Sequence, residues 1–324
     1  MLEIVLPFAL PPSALASDLI RNLHTPNLAR LLAVSIRSPD QQFDPMAAQL
    51  PHEHWLDQHH IPCHAVAQMK ALGLPPQEGF WFILNPIHLH IARDHLVLTD
   101  TRHLALSDES GRALFQLALV EIEAAGLSAC YGNAQTWFLR ADPWAELQTC
   151  SIDAACGHNI DIWMPRGDMA RAWRKLQNEI QMAWFEHPIH QERHAQGLPV
   201  VNSLWISQGS NSTAAAGTIN TQPAPPAKSV HLLRVGSVRR AHDRDLLSAD
   251  SILYADTLIG PALNADWSNW LAEMARIDEQ WLSLACQYGK VKLILSHSHT
   301  RREFTCSHLR LAQFWRKSGL KHLL

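Results

Sequence analysis

Residues Gly157–Trp205 read GHNIDIWMPRGDMARAWRKLQNEIQMAWFEHPIHQERHAQGLPVVNSLW, and the middle of this stretch carries the clearest pattern in the chain. Four large apolar residues recur there at spacings of three and four, as on the buried stripe of an α-helix: Trp173, Leu176, Ile180 and Trp184. A second stripe lies about a quarter-turn away and consists of Arg174, Asn178, Gln181 and Phe185. Two amides and an arginine beside an apolar stripe predict a polar interface, either with a ligand or with the rest of the protein.

Helix-like and strand-like segments alternate along the whole chain. Apolar periodicity, together with proline and glycine stop signals, predicts helices over Ser110–Ala125, Ala170–His194, Trp267–Tyr288 and Leu309–Lys317. Short apolar or β-branched runs predict strands at Leu2–Leu10, Gly79–Ile91, Leu96–Thr99, Gln135–Arg140, Asn202–Ile206, Val230–Val235, Ser251–Ala255 and Val291–Leu295. This mixture predicts an α/β fold in which a layered mixed sheet is flanked by helices.

The composition changes sharply after residue 206. Residues 207–229 are rich in Ser, Thr, Ala and Pro and almost uncharged, which is typical of a flexible linker or loop. We therefore expect a main α/β domain over residues 1–206, a linker over 207–229, and a C-terminal α/β portion over 230–324 that packs on the same core.

The overall composition indicates a globular protein of the cytoplasm. The 324 residues are 47% hydrophobic and 18% charged, and no apolar run approaches the roughly 20 residues of a membrane span. The six cysteines form no CxxC pair, which favours reduced thiols over a disulfide framework. An early acid, Glu3, and the lack of a basic first segment favour a buried strand at the N-terminus over a signal peptide.

Charge is unevenly distributed, although the net charge is only −3. Residues 290–324 carry eight Lys or Arg and a single acid, Glu303. A basic end of this kind can meet nucleic acid, an anionic ligand or an acidic partner. Because apolar residues separate the basic ones, a solvated helix face is the favoured interpretation, and nucleic-acid binding is an alternative.

Histidine is the residue type most able to hold a metal ion in this chain, with 20 copies. The spacing of some pairs makes them candidate ligands of a divalent metal: His88 and His90, His190 and His194, and His297 and His299. No carboxylate accompanies them at a motif spacing, so no metal or other cofactor is assigned. Nucleophile and nucleotide motifs are absent from the sequence, and His158 with Asp161 is the one candidate acid–base pair.

Several sequence blocks together resemble a bacterial family, the RpfE-type regulatory proteins. They are NPIHL at Asn85–Leu89, GHNI at Gly157–Ile160, NEIQM at Asn178–Met182, PVVNSLW at Pro199–Trp205 and FWRK at Phe314–Lys317. Members of this family are often labelled predicted cofactor-independent phosphoglycerate mutases. That label implies a distant relation to the alkaline phosphatase superfamily, and hence a reduced alkaline-phosphatase-like core.

Two further segments are similar to that superfamily. His24–Leu31 resembles its T-P-N-L helix, and Arg276–His297 resembles its late helix and metal-binding strand. The superfamily's first strand ends in Asp-Gly, whereas this one ends Leu6-Pro7-Phe8, and Ser296 stands where the late strand has Asp. Two divalent ions need such carboxylates as ligands, so the resemblance implies a fold whose two-metal chemistry is lost.

The sequence as a whole predicts a cytoplasmic regulatory or ligand-binding protein. Its pocket is expected to use the polar residues of the signature stretch: Arg174, Asn178, Gln181, Asn202, His158 and Trp205. The expected occupant is a small anionic ligand or a protein partner. The alternative is a phosphoglycerate mutase-like or phosphate-ester metalloenzyme, an isomerase or a phosphatase, with an atypical histidine-rich metal site.

Overall fold

The computed structural model describes residues 1–59, 61, 63–212, 231–235, 251–307 and 319–323. The chain forms two compact units, each with its own core. We call the first the terminal unit, which comprises Met1–Pro45, Leu50–Gln58 and Pro223–Leu324. The second, the central unit, comprises Met46–Gln49 and His59–Gln222.

The strands and helices follow one another in a mixed order. The strands are β1 (Leu2–Leu6), β2 (Ile36–Arg37), β3 (Gln41–Gln42), β4 (Phe80–Ile87), β5 (Leu89–Ala92), β6 (His95–Leu98), β7 (Ser128–Asn133), β8 (Thr136–Arg140), β9 (Ser203–Asn211), β10 (His231–Arg234), β11 (Ser251–Tyr254), β12 (Lys290–Ser296) and β13 (Thr300–Ser307). The helices are α1 (Ala16–Asn22), α2 (Pro26–Val34), α3 (Pro51–Gln58), α4 (Ala65–Ala71), α5 (Asp108–Ala124), α6 (Ile152–Ala155), α7 (Ala170–Phe185), α8 (Ile189–Ala195), α9 (Ile259–Leu263), α10 (Trp267–Ile277) and α11 (Ser283–Ala285).

The terminal unit is built on a mixed seven-stranded sheet. Its order is β10-β11-β1-β12-β13-β2, and β3 also pairs with β13. The strands β10, β11, β1 and β12 are parallel, and β13 is antiparallel to β12. Alternate residues of β1 (Leu2, Ile4 and Leu6) are fully buried in one core with side chains of α2 and α10. The expected α/β fold, with a mixed sheet flanked by helices, is confirmed.

The pairing of β1 explains why the chain does not divide at residue 206 as the composition suggested. Since β1 lies between β11 and β12, the first strand and the last third of the chain share one sheet and one core. Residues 207–211, expected in the linker, instead extend β9 along β4, with Asn211 opposite Phe80. The rest of the expected linker, from residue 213, and the expected helix Leu309–Lys317 lie outside the described residues.

The central unit is built on a four-stranded antiparallel sheet of order β7-β8-β4-β9. Successive residues of β4 face opposite sides, as the two-residue period requires. Phe82 and Leu84 share a core with α5 and α7, whereas Trp81 and Ile83 pack with α4. The sheet is therefore covered by helices on both faces.

Helix α7 confirms the expected apolar stripe but ends earlier than predicted. Trp173, Leu176, Ile180 and Trp184 are all buried. The helix stops at Phe185, and α8 begins at Ile189, directly after Pro188. Proline has no N–H to continue the ladder and restricts the residue before it, so the single helix expected over Ala170–His194 is wrong.

The helix expected over Trp267–Tyr288 is present but changes its winding. After α10 the chain makes a π-helical turn at Asp278–Leu282 and continues into α11. Within the described residues, no helix is long and apolar enough to cross a membrane.

The carboxylate of Asp278 caps helix α2 across the terminal unit. It accepts hydrogen bonds from the backbone N–H of Leu28 at 2.7 Å and of Asn27 at 3.1 Å, and from the Asn27 amide at 2.9 Å. An anion at the first turn satisfies N–H groups that have no partner within the helix. The two segments that resemble the alkaline phosphatase superfamily thus meet at this cap.

Replacing Asp278 with Ala should destabilise the protein by roughly 2–3 kcal/mol, because buried N–H groups lose a charged acceptor. Asp18→Ala is the matched control, since Asp18 is exposed on α1, and it should change the stability by less than about 0.5 kcal/mol. Urea unfolding of both variants measures the difference. Equal midpoints would show that the Asp278 cap does not stabilise α2.

Candidate functional site

A cavity of about 480 Å³ lies beside helix α7 in the central unit. Its polar lining comes from α7, through Arg174, Gln177, Asn178 and Gln181, and from the 3-10 turn at Ile160–Ile162, through Asp161. Its apolar lining consists of Leu89, Leu96, Ile160 and Met164. Polar groups on one wall and apolar groups on another are typical of small-molecule sites.

Helical spacing brings the four α7 side chains to the cavity. Arg174, Asn178 and Gln181 are four and three residues apart, and Gln177 lies between them on the same face. The neighbouring stripe of α7 is held against the sheet by its buried tryptophans. The packing of the helix therefore turns this polar face toward the cavity.

Hydrogen bonds to β9 hold two of these amides in place. The buried Gln177 donates through Nε2 to the Leu204 carbonyl at 2.8 Å and to the Ser203 hydroxyl at 3.1 Å. Gln181 donates through Nε2 to the same hydroxyl at 2.7 Å. The positions of both side chains are thus set by the strand, not by a ligand.

The other three polar groups on the cavity are not used by the protein itself. Within the described part of the chain, the Arg174 guanidinium, the Asn178 amide and the Asp161 carboxylate have no hydrogen-bond or ion-pair partner. All three residues are exposed. Their hydrogen-bond donors and acceptors at this cavity are therefore available to a ligand.

Three residues expected in the pocket do not line this cavity. Asn202 uses both ends of its amide on Leu89: Oδ1 accepts from the Leu89 N–H, and Nδ2 donates to the Leu89 carbonyl, each at 2.8 Å. Buried Trp205 donates to the Cys150 carbonyl at 3.0 Å. Asn202 therefore positions Leu89, which lines the cavity. Trp205 is bonded to the loop that contains Cys150.

The third of these residues, His158, is exposed and stacks on Trp163 with 5.8 Å between ring centroids. Among the described residues no hydrogen bond joins His158 to Asp161, so the expected acid–base pair is not formed. Two polar residues of the cavity lining, Gln177 and Asp161, were not among the expected pocket residues. Helical spacing is sufficient to place Gln177 on this face, because it lies three residues after Arg174 and four before Gln181.

The carboxyl ends of β1 and β12, where the resemblance implies a metal centre, are occupied by aromatic rings. The buried Phe8 packs edge-on to His52 at 5.6 Å and to His297 at 6.0 Å between centroids. Phe8 adopts a left-handed backbone with φ of 53°, a conformation that favours glycine, and its carbonyl accepts from Trp270 Nε1 at 3.0 Å. Its ring thus contacts both histidines.

These strand ends do not fit a two-metal centre. In the described ranges, no three His, Cys, Asp or Glu side chains converge. His88 and His90 stack at 6.1 Å and His297 and His299 at 6.2 Å, each without a third ligand in that part of the chain. His190 and His194 share α8, again with no third ligand there.

Burial lowers the pKa of three of these histidines, His88, His190 and His297. For His297 the pKa falls from 6.5 to about 4, chiefly because burial disfavours the charged ring and secondarily because His299 is close. For His88 burial likewise lowers the pKa, and a 2.8 Å contact between Nδ1 and the Val200 carbonyl opposes it. Both rings are therefore neutral near pH 7.

Most of the described basic side chains near the C-terminus are paired with acids. Lys292 and Arg301 contact Glu303 at 2.9 and 3.3 Å, and Arg302 contacts Asp40 at 3.2 Å. Arg310, Arg316 and Lys317 lie outside the described residues. Because Lys292 and Arg301 share the one carboxylate of Glu303, the described part of this segment retains a net positive charge.

Comparison with known proteins establishes the fold and leaves the activity open. No family model and no curated protein matches the chain. The structure is similar to that of the PH0037 protein from Pyrococcus horikoshii, with a TM-score of 0.54 and 12% identity over 99% of this chain and 91% of that one. A cofactor-independent phosphoglycerate mutase from Thermoplasma acidophilum matches with a TM-score of 0.37 and 14% identity, over 95% of this chain and 89% of that one. The first likeness shows a shared α/β fold, and the second supports no further conclusion.

Two neighbouring amides of α7 should respond differently to removal. Gln177→Ala leaves the Leu204 carbonyl and the Ser203 hydroxyl without their donor in a buried place, and should cost roughly 1–3 kcal/mol of stability. Asn178→Ala removes an exposed amide without a partner among the described residues, and should change the stability by less than about 0.5 kcal/mol. Thermal melting of both variants checks this, and similar losses would contradict the assigned roles.

Acid should destabilise the protein through His297. Its pKa in the folded state is about 4, against 6.5 for an unperturbed histidine, so the unfolded chain takes up this proton first. The stabilising effect of the neutral ring is present above pH 6.5 and is lost as the pH falls toward 4. His297→Gln should therefore lose less stability between pH 7 and 4.5 than the unaltered chain. NMR signals of the His297 ring that titrate near pH 6.5 would contradict the assignment.

Proposed function

We propose that this chain is a cytoplasmic, RpfE-type regulatory protein that binds a small anionic ligand in the α7 cavity and lacks two-metal mutase chemistry. One observation carries the proposal: Arg174 and Asn178 line a cavity of about 480 Å³ and have no partner among the described residues. A guanidinium that the protein leaves unpaired beside amide groups is suited to a carboxylate or phosphate.

The size and the walls of the cavity support a small molecule as the occupant. Its volume lies in the range of about 300–1,000 Å³ that ligand pockets usually have. Leu89, Leu96 and Met164 offer apolar contact area, whereas Arg174 and Asn178 offer directed hydrogen bonds. Such a site would bind an anionic group at the helix and the carbon skeleton against the hairpin β5–β6.

The loss of mutase chemistry is supported by the side chains at the ends of β1 and β12. Phe8 lies between two histidines where the resemblance expects Asp-Gly, and Ser296 stands where it expects Asp. A neutral aromatic ring cannot balance the charge of two divalent ions. The alternative metalloenzyme would need carboxylates from elsewhere in the chain. Two equivalents of manganese or zinc in the purified protein, together with phosphatase or mutase turnover, would establish that alternative.

A protein partner is the second candidate occupant. Met182 and Phe185 are 78% and 81% exposed, and they continue the cavity face of α7 one turn beyond Asn178 and Gln181. Large apolar side chains that extend a polar pocket are common where a protein docks. Met182→Ser together with Phe185→Ser should leave small-ligand binding unchanged, and a loss of binding would instead place these residues in the ligand site.

Anion binding at the cavity is tested by calorimetry with inorganic phosphate, 3-phosphoglycerate and a series of small carboxylates. Arg174→Gln should weaken binding about 10-fold or more, since a charged hydrogen bond contributes roughly 1.5–3 kcal/mol. Arg171→Gln is the matched control, because Arg171 is exposed on the same helix and does not line the cavity. Equal affinities of the two variants would overturn the proposal.

A further inference from the structure

The amide of Gln177 is oriented by the protein in a way that restricts what the α7 cavity can accept. Its Nε2 donates to the Leu204 carbonyl, and a carbonyl oxygen can only accept, so the amide cannot be flipped without losing this bond. The carbonyl oxygen Oε1 of Gln177 has no hydrogen-bond partner in the described part of the chain. Gln177 therefore presents an acceptor, and no free donor, to the cavity that it lines.

Two opposite charges line the same cavity without meeting. Arg174 projects from α7 and Asp161 from the 3-10 turn, and no ion pair joins them among the described residues. Opposite charges that line one cavity without an ion pair can each serve a separate group of a ligand. The cavity thus has a cationic donor at one place and anionic or neutral acceptors, Asp161 and Gln177, at others.

The arrangement disfavours a second anionic group on the ligand. A second anionic group would face the Asp161 carboxylate and the Gln177 carbonyl oxygen, where repulsion and unsatisfied acceptors would oppose binding. A molecule with a positively charged donor as well as an anion would satisfy both sets of protein groups. The apolar walls of Leu89 and Met164 favour a carbon skeleton between its two ends.

We propose that the α7 cavity selects a small amino-acid-like zwitterion, whose carboxylate meets Arg174 and whose ammonium meets Asp161 and the Gln177 carbonyl oxygen. This inference rests on the proposed function, because it names the class of anionic ligand that the same site takes. It assigns to Asp161 a specificity role that a site for simple anions would not need.

The test compares ligands that differ only in the ammonium group. Calorimetry on the full chain would use ω-amino acids of three to six carbons and the α-amino acid norvaline, each beside the unsubstituted carboxylate of the same carbon chain. At least one amino acid should bind about 10-fold tighter than its matched carboxylate, as one added charged hydrogen bond implies. Asp161→Asn should remove that gain, so that each amino acid binds no tighter than its matched carboxylate.

The control and the contrary outcomes separate this inference from the proposed function. Asp168→Asn alters an exposed acid that does not line the cavity, so it should retain the full gain. Carboxylates that bind as tightly as their amino acids, in an Arg174-dependent manner, would overturn the zwitterion and leave the anion site standing. Absence of Arg174-dependent binding by either class would overturn both proposals.

Discussion

The pair of hydrogen bonds from Gln177 to strand β9 is the contact on which the candidate site depends. Through them the helix α7 is tied to the Leu204 carbonyl and the Ser203 hydroxyl at the border between its apolar and polar faces. The tryptophans of the apolar stripe pack the helix against the sheet, and the two directed bonds add to this packing. Together they hold the polar face of α7 toward the cavity, and the helical period places Arg174 and Asn178 on that face.

The terminal unit combines a polar helix cap with an aromatic cluster at its strand ends. Asp278 joins the first turn of α2 to the start of the π-helical turn, and this contact involves backbone N–H groups that any sequence would have to satisfy. At the ends of β1 and β12 a buried aromatic ring, Phe8, gains apolar contact. Phe8 does so in a backbone conformation that suits glycine better, and the Trp270 bond to its carbonyl helps to hold it.

Local periodicity was sufficient to predict much of the fold and part of the site. The buried stripe of α7 and the strands β8, β10, β11 and β12 are carried by neighbouring residues, so the sequence alone predicts them. Contacts between distant segments were not predictable in this way. The parallel pairing of β1 with β11 and β12 determines the division into units, and no local signal marks it. Composition suggested a linker at residues 207–211, but pairing with β4 made them a strand.

The same distinction explains which of the expected residues line the cavity. Arg174, Asn178 and Gln181 share a helix face, and a helix face can be read from spacing. Asn202 and Trp205 are near the site in sequence, but spacing does not tell where a side chain in a loop or at a strand edge will find its partner. Asn202 bonds to Leu89 and Trp205 bonds to Cys150, so both side chains stabilise the fold. A polar residue whose groups all bond to the protein has few donors or acceptors available for a ligand. The side chains of Arg174 and Asp161 have all of theirs available within the described part of the chain. The three-dimensional structure shows which polar atoms already have a hydrogen-bond partner. That information is therefore a better guide to this site than the residue types themselves.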